Sequence, residues 1–141
     1  MLISPDLPIV IIGSGPVGDC VVKELLRRAP DTPIVVFNNE PWDPYDRINL
    51  VGVLTGQLTW ADLYLHKACP LPAGSPVTVH HDLIVAIDRD ACSVTDQHGR
   101  RHPYSILVLA TGSQANRPNM PGIHLQGIYT LRHRGDVEQL V

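Results

Sequence analysis

IVIIGSGPVG, residues 9–18, is the stretch of sequence that decides the fold of this chain. Its first four residues are apolar and mostly β-branched, which is typical of a strand buried in a parallel sheet. The pattern Gly-x-Gly-x-x-Gly follows without a break, and residues 20–28 carry the apolar spacing of a helix. The sequence therefore predicts a strand, a glycine turn and a helix in immediate succession.

Each glycine of this turn has a mechanical task. Gly13 lets the chain turn tightly off the strand, Gly15 removes a Cβ where a pyrophosphate would approach, and Gly18 lets the helix pack closely on the sheet. The first amides of the helix and its dipole attract phosphate. A glycine-rich turn without a ligand is the alternative. We predict a dinucleotide site whose phosphate-binding residues are Gly13, Ser14, Gly15, Pro16, Val17 and Gly18.

The overall composition is that of an ordinary globular domain. The chain has 141 residues, of which 44% are hydrophobic and 18% charged, and its net charge is −3. This length predicts a single domain over 1–141, and the lack of a concentrated basic stretch argues against nucleic-acid binding. The N-terminal residues carry no basic segment or cleavage-site pattern, and the apolar run after them is too short to cross a bilayer. We therefore expect a cytoplasmic protein without a membrane partner.

The cysteines and histidines do not predict a metal site. Cys20, Cys69 and Cys92 are scattered and show no Cys-x-x-Cys spacing, and the seven histidines are dispersed apart from the pair at 80–81. Metal ligands need convergent spacing, which is not visible here. We therefore expect neither a disulfide framework nor a bound metal.

A second buried strand is predicted at 34–37, and polar residues follow at its end. A dinucleotide site needs a carboxylate here, about 20 residues beyond the glycine turn, to accept hydrogen bonds from the adenosine ribose hydroxyls. Glu40 is the acid in place, with Asn39 beside it. A carboxylate fits a ribose with free hydroxyls and repels a 2′-phosphate. The alternative is that Glu40 is simply a solvated loop acid.

The remaining segments predict an α/β fold with a second, smaller sheet. Short helices are expected at 48–54 and 58–67, with Thr59 as the N-cap of the second. The apolar period changes to two from Val77 onward, which predicts an antiparallel β-meander over about 77–104. The apolar run at 106–110 predicts a return strand. The order of elements predicts a Rossmann-like βαβ domain, with a parallel central sheet and the small meander.

Four stretches resemble the FAD domain of the pyridine nucleotide-disulfide oxidoreductase superfamily. They are residues 9–18, Tyr45-Asp46-Arg47, residues 86–90 and residues 107–113. Within the superfamily, residues 45–56 most resemble the large subunit of NAD(P)H-dependent nitrite reductase, followed by rubredoxin and ferredoxin reductases. The likeness continues through residues 127–138 and so covers essentially the whole chain.

The resemblance implies that the glycine turn binds FAD rather than NAD. It implies that Glu40 or Asn39 meets the adenosine ribose and that the loop at Arg47 lies along the flavin half. The backbone near Ile84 would then meet the adenine. The flavin supplies the chemistry in this family, so no catalytic acid or base is expected in this chain.

The same resemblance implies that Ala110, Thr111 and Gly112 pass close to the nucleotide. Open α/β sheets do bind ligands at the carboxyl ends of their strands. A glycine there also removes a Cβ that would obstruct the ligand. The turn is equally consistent with an ordinary connection between a strand and a loop.

The sequence departs from the family pattern in three places. Ferredoxin-reductase-like members carry a lysine after the Tyr-Asp-Arg loop, where this chain reads Leu50-Val51-Gly52. No cysteine lies between Glu40 and Leu58, so thiol–disulfide chemistry is not expected. The chain ends where an NAD(P)H-binding domain would begin, and residues 114–141 are expected to form a linker toward it.

Together these patterns predict the N-terminal, FAD-binding portion of an NAD(P)H-dependent flavoprotein oxidoreductase resembling nitrite reductase. Electrons would pass from NAD(P)H through FAD to an iron–sulfur or haem protein or domain. The isolated chain is expected to be an incomplete domain, to be inactive, and to form a homodimer through uncovered apolar edges. The alternatives are a stand-alone module that binds ADP, NAD or FAD through the adenosine half, and a remnant that binds no ligand.

Overall fold

A computed structural model describes residues 7–68 and 70–141 of the chain. Residues 1–6 and Cys69, on which the expectations about a leader segment and paired cysteines partly depend, lie outside the described residues. Within the described ranges, seven strands and five helices occur in the order β1 (Ile9–Ile12), α1 (Pro16–Arg28), β2 (Ile34–Phe37), α2 (Leu50–Leu54), α3 (Trp60–Leu63), α4 (Leu65–Ala68), β3 (Val77–His80), β4 (Ile84–Asp88), β5 (Ser93–Asp96), β6 (Arg101–Pro103), β7 (Ile106–Leu109) and α5 (Arg134–Leu140).

Four strands form a parallel sheet in the order β3-β2-β1-β7. Ile9 at the start of β1 pairs with the first residue of β2 on one side and the first residue of β7 on the other. Because side chains alternate along a strand, Ile9 and Ile11 pack toward α1 and Val22, while Val10 faces the opposite layer. Both faces of β1 are therefore covered, which explains its unbroken apolar sequence. The predicted parallel βαβ core is confirmed.

Three strands form a separate antiparallel sheet in the order β4-β5-β6. Val94 of β5 and the buried Tyr104 pack against Phe37 and Val10, so this sheet covers the face of the parallel sheet opposite α1. The structure corrects the predicted extent of the meander, because β3 pairs in parallel with β2 and belongs to the main sheet. Since β3 is an edge strand, only partly covered on its faces, it shows the same period of two as an antiparallel strand.

The connection from β2 to β3 contains three short helices. Thr59 begins α3 as expected, since its backbone N–H donates to the Asp62 carboxylate over 3.0 Å. The helix predicted at 58–67 is interrupted at Tyr64, whose extended backbone separates α3 from α4. The break places Tyr64 opposite Tyr45 in an isolated antiparallel bridge, and this bridge pins the loop before α2 to the helices that follow it.

The C-terminal segment is more than the linker predicted for residues 114–141. Residues 114–133 lack helix and strand, but α5 follows them and packs on the connection between β2 and β3. Val137 of α5 is 1% exposed and joins a small core with Tyr45, Leu50 and Leu63. This second core, separate from the one around the sheet, anchors α5 beside the carboxyl end of β2.

Candidate nucleotide-binding site

The glycine turn between β1 and α1 is held by very close backbone contacts. A Cβ on Gly13 would lie 2.2 Å from the carbonyl oxygen of Ala110, and Gly13 has a φ of +107°. A Cβ on Gly18 would lie 2.0 Å from the carbonyl oxygen of Gly13. Only glycine permits either approach. These two glycines therefore bring α1, the turn after β1 and the end of β7 into contact.

Gly15 differs from its two neighbours in the motif. No heavy atom lies within 4 Å of the position of its Cβ, and its φ of −63° is open to any residue. Nothing in the described fold therefore requires glycine at this position. Gly15 is the N-cap of α1 and Pro16 follows it, so the turn presents an open backbone surface at the helix N-terminus. Val17 stands beside it, 66% exposed.

An acidic residue, Asp19, lies in the first turn of α1 and forms an ion pair with Lys23. Asp19 is buried, and its carboxylate accepts from Lys23 Nζ over 2.7 Å and contacts His66 Nε2 at 2.8 Å. Because a free carboxylate here would repel phosphate, the charge of Lys23 preserves the attraction of the helix N-terminus for anions. His66 belongs to α4, so the contact also fixes α4 against α1. Sequence reasoning did not identify Asp19 or His66, which are 47 residues apart.

Three consecutive polar residues, Asn38, Asn39 and Glu40, follow β2, and each has different surroundings. Asn38 is buried; its amide donates to the carbonyl of Trp42 over 3.0 Å, and its side-chain oxygen accepts from the Glu40 backbone N–H over 3.2 Å. Asn39 is exposed. The backbone carbonyl of Glu40 lies 2.8 Å from Nδ1 of His81, which donates to it because a carbonyl only accepts. Asn38 and His81 thus set the turn that orients Glu40.

The Glu40 carboxylate is the centre of a polar network. Its Oε2 accepts from the Tyr45 hydroxyl over 2.6 Å, and its Oε1 pairs with Arg47 and lies 3.2 Å from Nδ1 of His133. Burial raises the pKa of Glu40. The hydrogen bond from Tyr45 and the charge of Arg47 together lower it by more, so the pKa of Glu40 lies below its ordinary value. Burial, together with the bond to Glu40, raises the pKa of Tyr45 to about 12. Glu40 is therefore ionised and Tyr45 neutral at neutral pH.

Helix α5 is attached to this network by its first two residues. His133 is the N-cap of α5 and contacts both Glu40 and Arg47. The backbone N–H of Arg134 donates to the Tyr45 hydroxyl over 2.9 Å. The Arg134 guanidinium lies between two indole rings, 3.6 Å from the centre of Trp42 and 4.4 Å from the centre of Trp60.

A shallow open cleft joins the glycine turn to this network. Ser14 and Gly15 line one side, and Glu40 and Arg47 line the other, together with Asn38 and residues 42–45. The structure thus brings together two groups of residues that the sequence assigned to one site from separate motifs. Glycine-turn backbone and the Arg47 cation face the same space, which suits a phosphate-bearing ligand.

The other implied site residues lie away from the walls of this cleft. The carbonyl oxygen of Ala110 contacts the glycine turn at Gly13. Thr111 and Gly112, which follow it in the chain, are exposed. Ile84 begins β4 and packs in the layer between the two sheets. Asn39 lies at the exposed end of β2.

Sequence reasoning did not identify Arg132. Its Nε donates to the carbonyl of Ser113 over 3.2 Å, and its Nη2 lies 3.8 Å from the position of a Cβ on Gly112. Within 7–68 and 70–141, Arg132 forms no salt bridge with a carboxylate. No local pattern could have revealed it, because the contact joins residues 19 positions apart in an irregular segment.

The family of pyridine nucleotide-disulphide oxidoreductases matches residues 7–141, and this chain belongs to that family. The chain is 34% identical over 127 residues to a nitric oxide reductase FlRd-NAD(+) reductase of Aliivibrio fischeri, which covers 89% of the chain and 33% of that protein. It is 31% identical over 143 residues to the nitrite reductase [NAD(P)H] large subunit of Klebsiella oxytoca, covering 94% of the chain and 14% of that protein.

Solved structures of similar proteins agree with the fold. The NADH:rubredoxin oxidoreductase of Clostridium acetobutylicum superimposes with a TM-score of 0.78 at 25% identity, covering 94% of this chain and 34% of that one. The ferredoxin reductase of the CYP199A2 system from Rhodopseudomonas palustris gives a TM-score of 0.82 at 25% identity, covering 94% and 33%. The predicted family and Rossmann-like architecture are confirmed. The chain spans about a third or less of the length of these relatives.

Neither a membrane-spanning helix nor a cluster of metal ligands occurs in the part of the chain that the structure describes. Among residues 7–68 and 70–141, no helix has the length and apolar character needed to cross a membrane. In the same part of the chain, no group of three or more histidine, cysteine, aspartate or glutamate side chains is arranged to hold a metal ion.

Proposed function

We propose that this chain supplies the FAD-binding portion of an NAD(P)H-dependent flavoprotein oxidoreductase. The observation that carries the proposal is the contrast among the three glycines of the turn. The space that a Cβ would take at Gly13 or Gly18 is occupied by the protein's own backbone. The space beside Gly15 is open and faces a cleft that Arg47 also lines. An open glycine at a helix N-terminus is what a bound pyrophosphate requires.

The residues present fit an FAD molecule. The backbone of Ser14 and Gly15 would hold the pyrophosphate, and Glu40 or Asn39 would meet the adenosine ribose. The Ala110–Gly112 turn would pass along the nucleotide, and the backbone near Ile84 would meet the adenine. FAD, when bound, supplies hydride and electron transfer, and the chain contributes position and electrostatics.

Two arginines supply positive charge on either side of the glycine turn. Arg47 is bound to Glu40, so its charge reaches the cleft from within the polar network. The Arg132 backbone N–H donates to the Asp136 carboxylate over 2.6 Å, whereas its guanidinium lies against the second glycine turn and forms no salt bridge with a carboxylate among the described residues. We assign to Arg132 an electrostatic contact with the anionic cofactor, because a half-buried guanidinium beside the path of a dinucleotide gains most by pairing with phosphate.

The relatives support an electron-transfer role for the whole protein. All four of these relatives are named as reductases; three of the names include NAD(+), NAD(P)H or NADH, and two include rubredoxin or ferredoxin. We propose that the complete protein passes electrons from NAD(P)H through FAD to an iron–sulfur or haem protein or domain in the cytoplasm. For the isolated chain we propose a homodimer formed through the open edge at β7, where Ile106 and Leu109 are exposed.

A visible absorption spectrum tests the cofactor assignment. The purified chain is mixed with FAD, desalted, and compared with an Arg132→Ala variant and with Arg117→Ala, an exposed arginine of the 114–133 segment, as the matched control. We expect flavin bands to survive desalting in the wild type and in Arg117→Ala, and FAD affinity to fall roughly tenfold in Arg132→Ala.

The other outcomes separate the alternatives. A colourless protein that gains thermal stability from ADP would replace the FAD assignment by an adenine-nucleotide module, because a ligand that binds only the folded state must stabilise it. A protein that responds neither to FAD nor to ADP would contradict the proposed function.

A further inference from the structure

The Glu40 carboxylate is already occupied by groups of the chain itself. Tyr45 donates to one oxygen, and Arg47 and His133 contact the other. A carboxylate offers about four acceptor positions, and the two hydroxyls of a ribose require two of them. Only 16% of the Glu40 side chain is exposed. When His133 donates from Nδ1, three of the four positions are taken, so a ribose reaches Glu40 with both hydroxyls only if one of these three groups moves.

The three groups differ in how firmly they are held. Tyr45 is 4% exposed and belongs to the core beneath α5. The Arg47 side chain is 23% exposed and carries the charge that balances Glu40. The His133 side chain is 43% exposed and makes the longest of the three contacts, at 3.2 Å. His133 is therefore the group that a ligand displaces at the lowest cost.

His133 also determines how α5 begins. Its backbone N–H donates to the Asp136 carboxylate over 2.8 Å, and this contact caps the helix. Arg47 can only donate, so it donates to Nδ1 of one His133 tautomer, whereas in the other tautomer Nδ1 donates to Glu40. Only the second tautomer occupies an acceptor position of Glu40; the first is tied to Glu40 through Arg47 and leaves that position open to a ribose hydroxyl.

We propose that His133 competes with the ribose of an adenine nucleotide for Glu40, so that docking of α5 and binding of the nucleotide oppose each other. The inference rests on the proposed function, because it requires an adenine nucleotide in the glycine cleft. Coupling between two binding events is reciprocal. Whatever releases α5 must therefore strengthen nucleotide binding, and nucleotide binding must weaken the docking of α5.

The chain contains its own reporter of α5 docking. Trp42 and Trp60 are its two tryptophans, and both rings lie against Arg134 of α5. Movement of α5 away from the cleft changes the surroundings of both indoles at once. Intrinsic tryptophan fluorescence therefore measures docking without a label.

The test compares ADP binding by calorimetry in the wild type, His133→Ala and Arg134→Ala. Arg134→Ala weakens the docking of α5 by removing the cation that packs against Trp42 and Trp60, and it alters no group that contacts the Glu40 carboxylate. His124→Ala, an exposed histidine in the 114–133 segment, is the matched control, and far-UV circular dichroism verifies that each variant is folded. We expect ADP to bind roughly three- to tenfold more tightly to His133→Ala and to Arg134→Ala, and unchanged to His124→Ala.

A nucleotide without ribose hydroxyls isolates the competition. We expect 2′,3′-dideoxy-ADP to bind the wild type and His133→Ala equally, because it has no hydroxyl to donate to Glu40. We also expect ADP to shift the tryptophan emission of the wild type toward that of Arg134→Ala.

The outcomes distinguish the inference from the function on which it rests. If ADP binds none of the proteins, both are overturned. If ADP binds equally or more weakly to His133→Ala, or if the gain persists with the dideoxy nucleotide, the competition is overturned and the nucleotide site remains. A merely structural role for His133 predicts weaker binding, which is the opposite of the expected result.

Discussion

The two walls of the candidate cleft are built by different physical means. The wall around β1, α1 and the end of β7 is a backbone structure, in which Gly13 and Gly18 let main chains touch. The opposite wall, formed by the connection from β2 to β3 together with α5, is a side-chain structure centred on Glu40 and Arg134. The first wall has no room for a Cβ at Gly13 or Gly18, whereas the second depends on charge and aromatic contacts.

This difference suggests a division of labour between the walls. Backbone contacts at close approach have one solution, so the glycine wall is rigid and is suited to recognising phosphate. Polar contacts among partly exposed side chains can exchange partners, so the second wall is suited to responding to a ligand. Three substitutions test this comparison, in decreasing order of their expected effect on stability.

Gly18→Ala should have the largest effect. Its Cβ would lie 2.0 Å from the carbonyl oxygen of Gly13, and this backbone atom cannot move aside cheaply. We expect the free energy of unfolding to fall by at least about 3 kcal/mol, measured by urea denaturation. Gly135→Ala in α5 is the control, because nothing lies within 4 Å of its Cβ position. Equal stability of Gly18→Ala and Gly135→Ala would refute the account of the backbone wall.

Glu40→Gln should have an intermediate, pH-dependent effect. The substitution keeps the shape of the side chain but removes the charge that Arg47 and Tyr45 stabilise, so we expect a loss of about 2 kcal/mol at pH 7. The folded pKa of Glu40 lies below its ordinary value, so the wild-type advantage is full above about pH 5, where the unfolded-state carboxylate is also ionised. The advantage is lost as the pH falls through the folded pKa.

Unfolding curves at several pH values between 7 and 2 measure this difference. Glu24→Gln in α1 provides the comparison, because Glu24 pairs with Arg27 on the exposed surface and should change stability little. A difference between wild type and Glu40→Gln that stays constant over this pH range would show that the Glu40 charge does not stabilise the second wall.

Gly15→Ala should have the smallest effect on stability and a large effect on binding. Its backbone conformation suits alanine and its Cβ meets no protein atom, so we expect stability to change by no more than about 0.5 kcal/mol. The new methyl group would occupy the space assigned to the pyrophosphate, so ADP affinity should fall at least tenfold in a calorimetric titration. Unchanged ADP affinity would show that the pyrophosphate does not bind beside Gly15.

Part of this molecule could be predicted from local patterns. Residues 9–18 predicted the strand, turn and helix, because the apolar run and the glycine spacing are patterns of consecutive residues. The capping of α3 by Thr59 followed from residues within one helical turn. The boundary of the meander did not follow, since Val77–His80 alternates like an antiparallel strand and only its neighbour in the sheet distinguishes the two.

The sequence by itself determined the family, the parallel core and the pairing of a glycine turn with an acid at the end of β2. These depend on short-range spacing, which survives in the linear order of residues. Only the tertiary structure decided that the Glu40 side chain faces Tyr45, Arg47 and His133, and that α5 docks where a linker was expected. His133 and Glu40 are 93 residues apart, and the energy of such a contact depends on geometry that no local pattern encodes.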